Sequence, residues 1–221
     1  MIVTRPLPPY FPPLEPLSII HEDADILVID KPSGLLTVSG KQPGADDCLE
    51  SRAVAHHAGA EITHRLDWDT SGIIVLALNK KARRNLGIQF EKRLVEKHYI
   101  ARVWGKPNQP NGRIDLPMRC DWPNRPRQIV DHAEGREAIT DWELSACDAE
   151  SSYLLMKPKT GRSHQLRVHC QSMGHPILGD RLYAHEDAYQ AHERMCLHAS
   201  FIAFDHPTSG DRVNYASPCP F

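Results

Sequence analysis

The densest gathering of chemically able side chains is His64-Arg65-Leu66-Asp67-Trp68-Asp69-Thr70-Ser71-Gly72. There an imidazole, a guanidinium and two carboxylates crowd a sharp turn beside an apolar run. A carboxylate presented at a strand end can serve as a covalent nucleophile. Short polar side chains in turns also cap backbone N–H groups, and spacing alone does not separate the two roles of Asp67.

Other chemistries find less support. The six cysteines, Cys48, Cys120, Cys147, Cys170, Cys196 and Cys219, lie far apart and form no CxxC pair, so reduced, mostly structural thiols are expected. Among thirteen histidines, His164 and His169 are five apart and His192 and His198 six apart. Neither spacing puts two imidazoles on one helix face, and no metal is expected.

These residues must be positioned by ordinary elements. Residues 24–31 (ADILVIDK) form a β-branched apolar run that Pro32-Ser33-Gly34 stops, which predicts a strand entering a loop. Residues 48–58 suit a short helix, and 73–78 a buried strand directly after the Asp67 turn. Leu86, Phe90 and Leu94 recur every four residues, which predicts a helix over 80–94. Alternation predicts strands over 97–104, 137–144 and 151–156, and a further strand over 196–204. A helix over 164–173 would start at a Ser163 N-cap and stop before Gly174. The fold class this implies is α+β, with a mixed, largely antiparallel central sheet flanked by helices and loops.

At 221 residues, 41% hydrophobic and 24% charged, the chain has the composition of a globular protein with one substantial core. Its apolar runs fall well short of the roughly 20 residues that span a bilayer. Six prolines among the first sixteen residues interrupt any secretory leader, so residues 1–19 are expected to form a proline-rich arm ahead of one catalytic domain over 20–221. A cytoplasmic location is the expectation. The net charge of -2 is no signature of nucleic-acid binding, but it is unevenly spread. Residues 80–106 hold nine basic side chains against two acidic ones, Glu91 and Glu96. A second group, Arg113, Arg119, Arg125, Arg127 and Arg136, is interleaved with Trp122 and prolines. Such runs are either solvated faces or phosphate contacts.

The turn around Asp67 has company. HRLDWDTSG, together with Lys31-Pro32-Ser33-Gly34, Lys97-His98-Tyr99 and Gly161-Arg162-Ser163-His164-Gln165-Leu166-Arg167-Val168-His169, resembles in kind and order the motif set of the RluA-type RNA pseudouridine synthases. Asp121-Trp122-Pro123-Asn124-Arg125-Pro126 and His175-Pro176-Ile177-Leu178-Gly179-Asp180 extend the resemblance from about residue 20 to the C-terminus.

The resemblance implies an isomerase of structured RNA that uses no cofactor. Asp67 matches the family's catalytic carboxylate. Tyr99 matches the aromatic residue stacked on the flipped uracil, and Arg162 the basic partner that keeps the carboxylate ionised. Arg65 matches the residue that enters the base stack in place of the extruded uridine. His64 is expected to support the turn. Lys80, Arg83, Arg84, Arg93, Arg125 and Arg127 are expected to contact RNA. Many relatives carry an additional N-terminal RNA-binding domain, for which this sequence has no room, so specificity is expected from the catalytic domain. The short branch of the family modifies stem-loops of 23S ribosomal RNA and the anticodon stem-loop of transfer RNA, and both are the expected partners, with no obligate protein partner and no membrane. Two other readings are a non-catalytic RNA-binding or RNA-folding protein on the same scaffold and a hydrolase using Asp67 with His64.

Overall fold

The apolar runs become strands and the amphipathic segments become helices. In the computed structural model, which describes residues 5–221, the order begins β1 (Ser18–Glu22), β2 (Ile26–Lys31), α1 (Leu49–His56), β3 (Glu61–Ile62), β4 (Ser71–Ala77) and α2 (Lys80–Glu91). Next come β5 (Glu96–Trp104), β6 (Asn111–Asp115), β7 (Met118–Cys120), β8 (Gln128–Val130), β9 (Ile139–Cys147) and β10 (Ser151–Pro158). The order closes with α3 (Gln165–Ser172), α4 (Glu186–Gln190), β11 (Leu197–Asp205) and β12 (Arg212–Ala216). Strands outnumber helices, and most of their pairings are antiparallel, in keeping with the α+β class. Among the described residues no helix is long and apolar enough to cross a membrane.

The chain divides into two compact units. One comprises Leu7–Lys97 and His198–Pro220 and carries Asp67; the other is built on His98–Leu197 and carries Tyr99 and Arg162.

In the Asp67 unit, β2 pairs antiparallel with β1 and β4, and β4 runs parallel to β11, which pairs antiparallel with β12. All seven residues of β4 are buried, which explains the unbroken apolar run over residues 73–77. Ile73, Val75 and Ala77 point to one face, where Ile26, Val28, Ile202 and Phe204 join Ala82 and Leu86 of α2 in a core. Apolar burial of this kind is the main favourable term in folding. Gly72 sits at φ +109, and a Cβ there would lie 2.3 Å from the Ala199 carbonyl oxygen, so close approach of β4 and β11 requires glycine at this point.

The Arg162 unit contains the antiparallel series β5-β10-β9-β6 and a separate β7-β8 ribbon. Leu166 and Cys170 of α3 pack against Ala101, Val103, Leu154 and Met156 from the strands.

Two helix boundaries differ from expectation. Asn79 caps α2, its side chain accepting from Ala82 N, but the helix ends at Glu91 because Arg93 takes a left-handed backbone (φ 59), and Leu94 is exposed rather than packed. At α3 the N-cap is His164, itself left-handed at φ 54 with no side-chain cap, and Ser163 lies outside the helix.

Candidate active site

Asp67 stands on a turn that a neighbouring loop clamps from several directions. The chain leaves β2 through Lys31, whose side chain has no exposed surface and whose ammonium donates to the carbonyls of Pro32 (2.9 Å), Leu35 (2.7 Å) and Trp68 (3.1 Å). A buried ammonium is tolerated because such carbonyls replace its water. Gly34, at φ +81, donates its N–H to the same Trp68 carbonyl, and the Trp68 indole N–H donates back to the Gly34 carbonyl at 2.8 Å. Ser33 Oγ donates to the Asp69 carbonyl and Thr37 Oγ1 to that of Leu66, each at 2.7 Å. The Lys31-Pro32-Ser33-Gly34 and His64-to-Gly72 motifs are thus two halves of one hydrogen-bonded loop pair, with half-buried Asp67 at its turn.

His64 supports this turn. Its Nε2 accepts from Val75 N at 3.1 Å and its ring lies on Phe90, with centroids 4.5 Å apart. Burial, with the nearby charge of Lys97 adding to it, pulls its pKa down to about 3, so the imidazole is neutral at physiological pH. His198 is a polar core residue that motif reading passed over: it is buried and bridges Ser71 Oγ (2.9 Å) and Ser217 Oγ (3.1 Å), and Ser217 bonds Asp30.

In the other unit, Tyr99 lies on β5 opposite Met156 of β10 and packs against the core. Arg162 is positioned by Gln165, which sequence reasoning missed. The buried Gln165 Oε1 accepts from Arg162 N (3.0 Å) and from Thr160 Oγ1 (2.7 Å), and its Nε2 donates to the Ile139 carbonyl and to Thr140 Oγ1, each at 3.0 Å. A fully satisfied buried amide is rigid, and here it fixes the backbone from which Arg162 projects. Arg162 Nε donates to the Glu137 carbonyl at 2.9 Å. The last two sequence motifs meet in a buried bidentate ion pair, Arg167 Nε and Nη2 with Asp180 at 2.8 and 2.7 Å.

A model of the RNA pseudouridylate synthase family matches residues 25–172, a span that includes Asp67, Tyr99 and Arg162. The dual-specificity RNA pseudouridine synthase RluA of Escherichia coli K12 is 46% identical over 214 residues, covering 96% of this chain and 98% of the relative. The chain belongs to the RNA pseudouridylate synthase family. The RluA of Haemophilus influenzae is likewise 46% identical over 96% of this chain and 98% of its own length. Among solved structures, human RNA pseudouridylate synthase domain containing 1 superposes on this synthase with a TM-score of 0.77 at 31% identity, over 93% of this chain and 84% of that one. The family and the α+β fold expected from the motifs are therefore both found.

The cations expected to face RNA divide into three kinds. Arg65, Lys80, Arg84, Arg93 and Arg125 are exposed. Arg83 is exposed too but pairs with Glu61 at 3.3 Å. Arg127 is not on the surface: it is buried, its Nη1 donates to the Leu182 carbonyl, and its guanidinium lies 4.9 Å from the Tyr183 ring centre. Its guanidinium is engaged inside the protein and does not line a groove. Lys97 is also drawn inward, and burial lowers its pKa. In the second basic group, Arg113 pairs with Asp141 (2.7 Å) and Arg119 with Asp131 (2.6 Å).

His164 and His169 bond separate hydroxyls, Tyr183 OH at 2.7 Å and Thr140 Oγ1 at 2.9 Å. Among the described residues one group, Asp23, Asp25 and His206, brings metal-ligating atoms within 4.8 Å of one another. Asp23 there accepts from Asp25 N and Ile26 N and bonds the rings of His21 and His206, so the cluster is held by its own hydrogen bonds.

Proposed function

We propose that the protein isomerises particular uridines to pseudouridine in stem-loops of 23S ribosomal RNA and in the anticodon stem-loop of transfer RNA, acting in the cytoplasm. The dual specificity in the names of the bacterial relatives supports more than one RNA substrate. Residues 20–221 act as one catalytic domain behind the proline-rich arm.

The bond between uracil N1 and ribose C1′ breaks and one between C5 and C1′ forms. The C5 proton leaves and N1 takes one up, so no electrons, phosphate or oxygen enter or leave. That balance calls for no redox cofactor, nucleotide or metal. Asp67 is the covalent nucleophile, Tyr99 stacks on the extruded uracil, and Arg162 is the basic catalytic residue. Extrusion costs a few kcal/mol, offset by that stacking and by Arg65 entering the vacated stack. Lys80, Arg83, Arg84, Arg93 and Arg125 contact phosphates.

The observation that carries this reading is the clamped turn around Asp67. Lys31, Ser33 and Thr37 bond the carbonyls of Trp68, Asp69 and Leu66, the residues that flank it. A nucleophile on a fixed turn reacts with little reorganisation. Pseudouridine mapping on ribosomal and transfer RNA treated with wild-type protein and with Asp67→Asn tests it. Conversion at one or a few loop uridines, lost in the variant while RNA binding persists, is expected. If both proteins bind RNA and neither converts any uridine, the protein is an RNA-binding protein and not a synthase.

A further inference from the structure

The β7-β8 ribbon presents an aromatic side chain that contributes nothing to the core. The ribbon's own apolar residues, Met118 and Val130, pack with Ala138, Val168, Leu182 and Tyr183. Trp122, at the tip, is 62% exposed. The Arg125 guanidinium lies over its ring, 3.5 Å from the centre, close enough for a cation–π interaction. Among the described residues Arg125 makes no ion pair, whereas Arg119 on the adjoining strand is paired with Asp131.

The tip is well fixed. Asp121 N donates to the Arg127 carbonyl (2.9 Å), Asn124 N to that of Asp121 (2.9 Å) and Arg127 N to that of Asn124 (3.1 Å). Asn124 Nδ2 also donates to Asp121 Oδ2 at 2.9 Å, which engages the one carboxylate inside the tip. The buried side chain of Arg127, bonded to the Leu182 carbonyl, ties the tip to the body of its unit. A large exposed indole on a rigid mount, with an uncompensated cation on one face, matches the two features of an unpaired nucleotide: a π-face and a phosphate. An apolar protein partner would need neither the flat stack nor the free charge.

We propose that Trp122 and Arg125 form a stacking platform for an unpaired nucleobase of the RNA substrate. The base lies on the indole face that Arg125 leaves open, and the guanidinium contacts the adjoining phosphate. This deepens the RNA-modifying reading above and rests on it.

Binding and turnover are measured for wild type, Trp122→Ala, Trp122→Phe and Arg125→Ala, with two probes: a stem-loop transcript and a blunt duplex of the same stem without the loop. Stacking one base on an aromatic ring supplies about a tenfold gain in affinity or more. Trp122→Ala is therefore expected to weaken stem-loop binding and raise KM about tenfold, with kcat nearly kept and duplex binding unchanged. Trp122→Phe should retain most of the affinity, and Arg125→Ala should lower both affinity and its salt dependence. The platform is overturned if Trp122→Ala binds the stem-loop as wild type does, if it weakens equally on both probes, or if the substitution alters self-association instead. Failure of the wild type to bind or modify RNA removes the parent reading and the platform together; failure of the platform alone leaves the wild-type activity standing.

Discussion

The ring of Tyr10 lies against the indole of Trp68, with centroids 5.4 Å apart, and Trp68 is the residue that follows Asp67. Tyr10 is the one buried residue among the described residues of the proline-rich arm; its hydroxyl donates to the Asp47 carbonyl at 2.8 Å and accepts from Leu36 N at 3.1 Å. Arg52 fastens the arm further, donating to the Pro13 carbonyl at 2.6 Å while pairing with Asp47. The arm thus buttresses the loop pair that carries Asp67.

Tyr10→Phe keeps the ring and removes the hydroxyl, leaving Leu36 N–H without its partner at a cost of about 1–3 kcal/mol. Tyr10→Ala removes the stack as well and should lower kcat about tenfold, because the backbone around Asp67 is then without its outer support. Thermal melting and single-turnover conversion measure the two effects. Equal kcat in the wild type and in Tyr10→Ala would mean that the arm serves only to cover the unit.

A second expectation concerns the Arg167–Asp180 pair. Asp180 is fully buried; burial alone would raise its pKa, but Arg167 holds it below the ordinary carboxylate range. Its Oδ1 also accepts from the N–H groups of Leu182 and Tyr183. Asp180→Ala strands a buried guanidinium and should cost about 3–5 kcal/mol in chemical denaturation. Arg167→Lys should be destabilising too, though less so, since an ammonium keeps the charge but cannot reproduce the two-pronged bond.

Much of the fold was legible because the decisive signals are local. Residues 24–31 and 73–78 read as strands from their apolar runs and became β2 and β4 with ends shifted by one or two residues, and Asn79 caps α2 with a residue type favoured there. The end of α2 was not legible: Leu94 continues the four-residue period, and nothing in the letters says that Arg93 turns left-handed. Asp67 stood out through its motif. Gln165 did not, because its partners Thr160, Ile139 and Thr140 come from other segments and an amide alone announces no network. Arg127 read as surface charge for the same reason: Leu182, which accepts its bond, is 55 residues away.

Acidification should destabilise the protein well before its carboxylates titrate. Burial lowers the pKa of His64 to about 3 and that of His169 to about 4, both below the unfolded value of about 6.5. Above that value both states are neutral and the full stability is present. Below it the unfolded chain takes up protons that the native protein refuses, so stability falls as pH drops, until the native imidazoles titrate in turn. Each histidine adds a slope of up to about 1.4 kcal/mol per pH unit between roughly pH 6 and 4.5. Asp23, whose hydrogen bonds take its pKa to about 2 against the effect of burial, contributes only below about 3.8, outside this window. Urea denaturation across the window should show a shallower slope for His169→Gln than for the wild type, whatever the variant's absolute stability.

The cations of α2 should differ in their worth to RNA binding. Arg83 and Arg84 are adjacent and both exposed, but Arg83 shares its charge with Glu61 Oε2 at 3.3 Å. A cation that must leave a carboxylate to reach a phosphate gains less, although an exposed pair of this sort holds it by only about 0–1 kcal/mol. Arg84→Ala should therefore weaken binding of a stem-loop RNA more than Arg83→Ala, and Glu61→Gln should tighten it slightly. Removing one cation that neutralises a phosphate should reduce the dependence of log affinity on log salt by about 0.7–0.9. Titrations of the three variants over a range of potassium chloride concentrations read both quantities. Unchanged affinity and unchanged slope in Arg84→Ala would remove α2 from the RNA-binding surface, and the phosphates would then have to be met by cations elsewhere, with Arg65 and Arg125 the first to test.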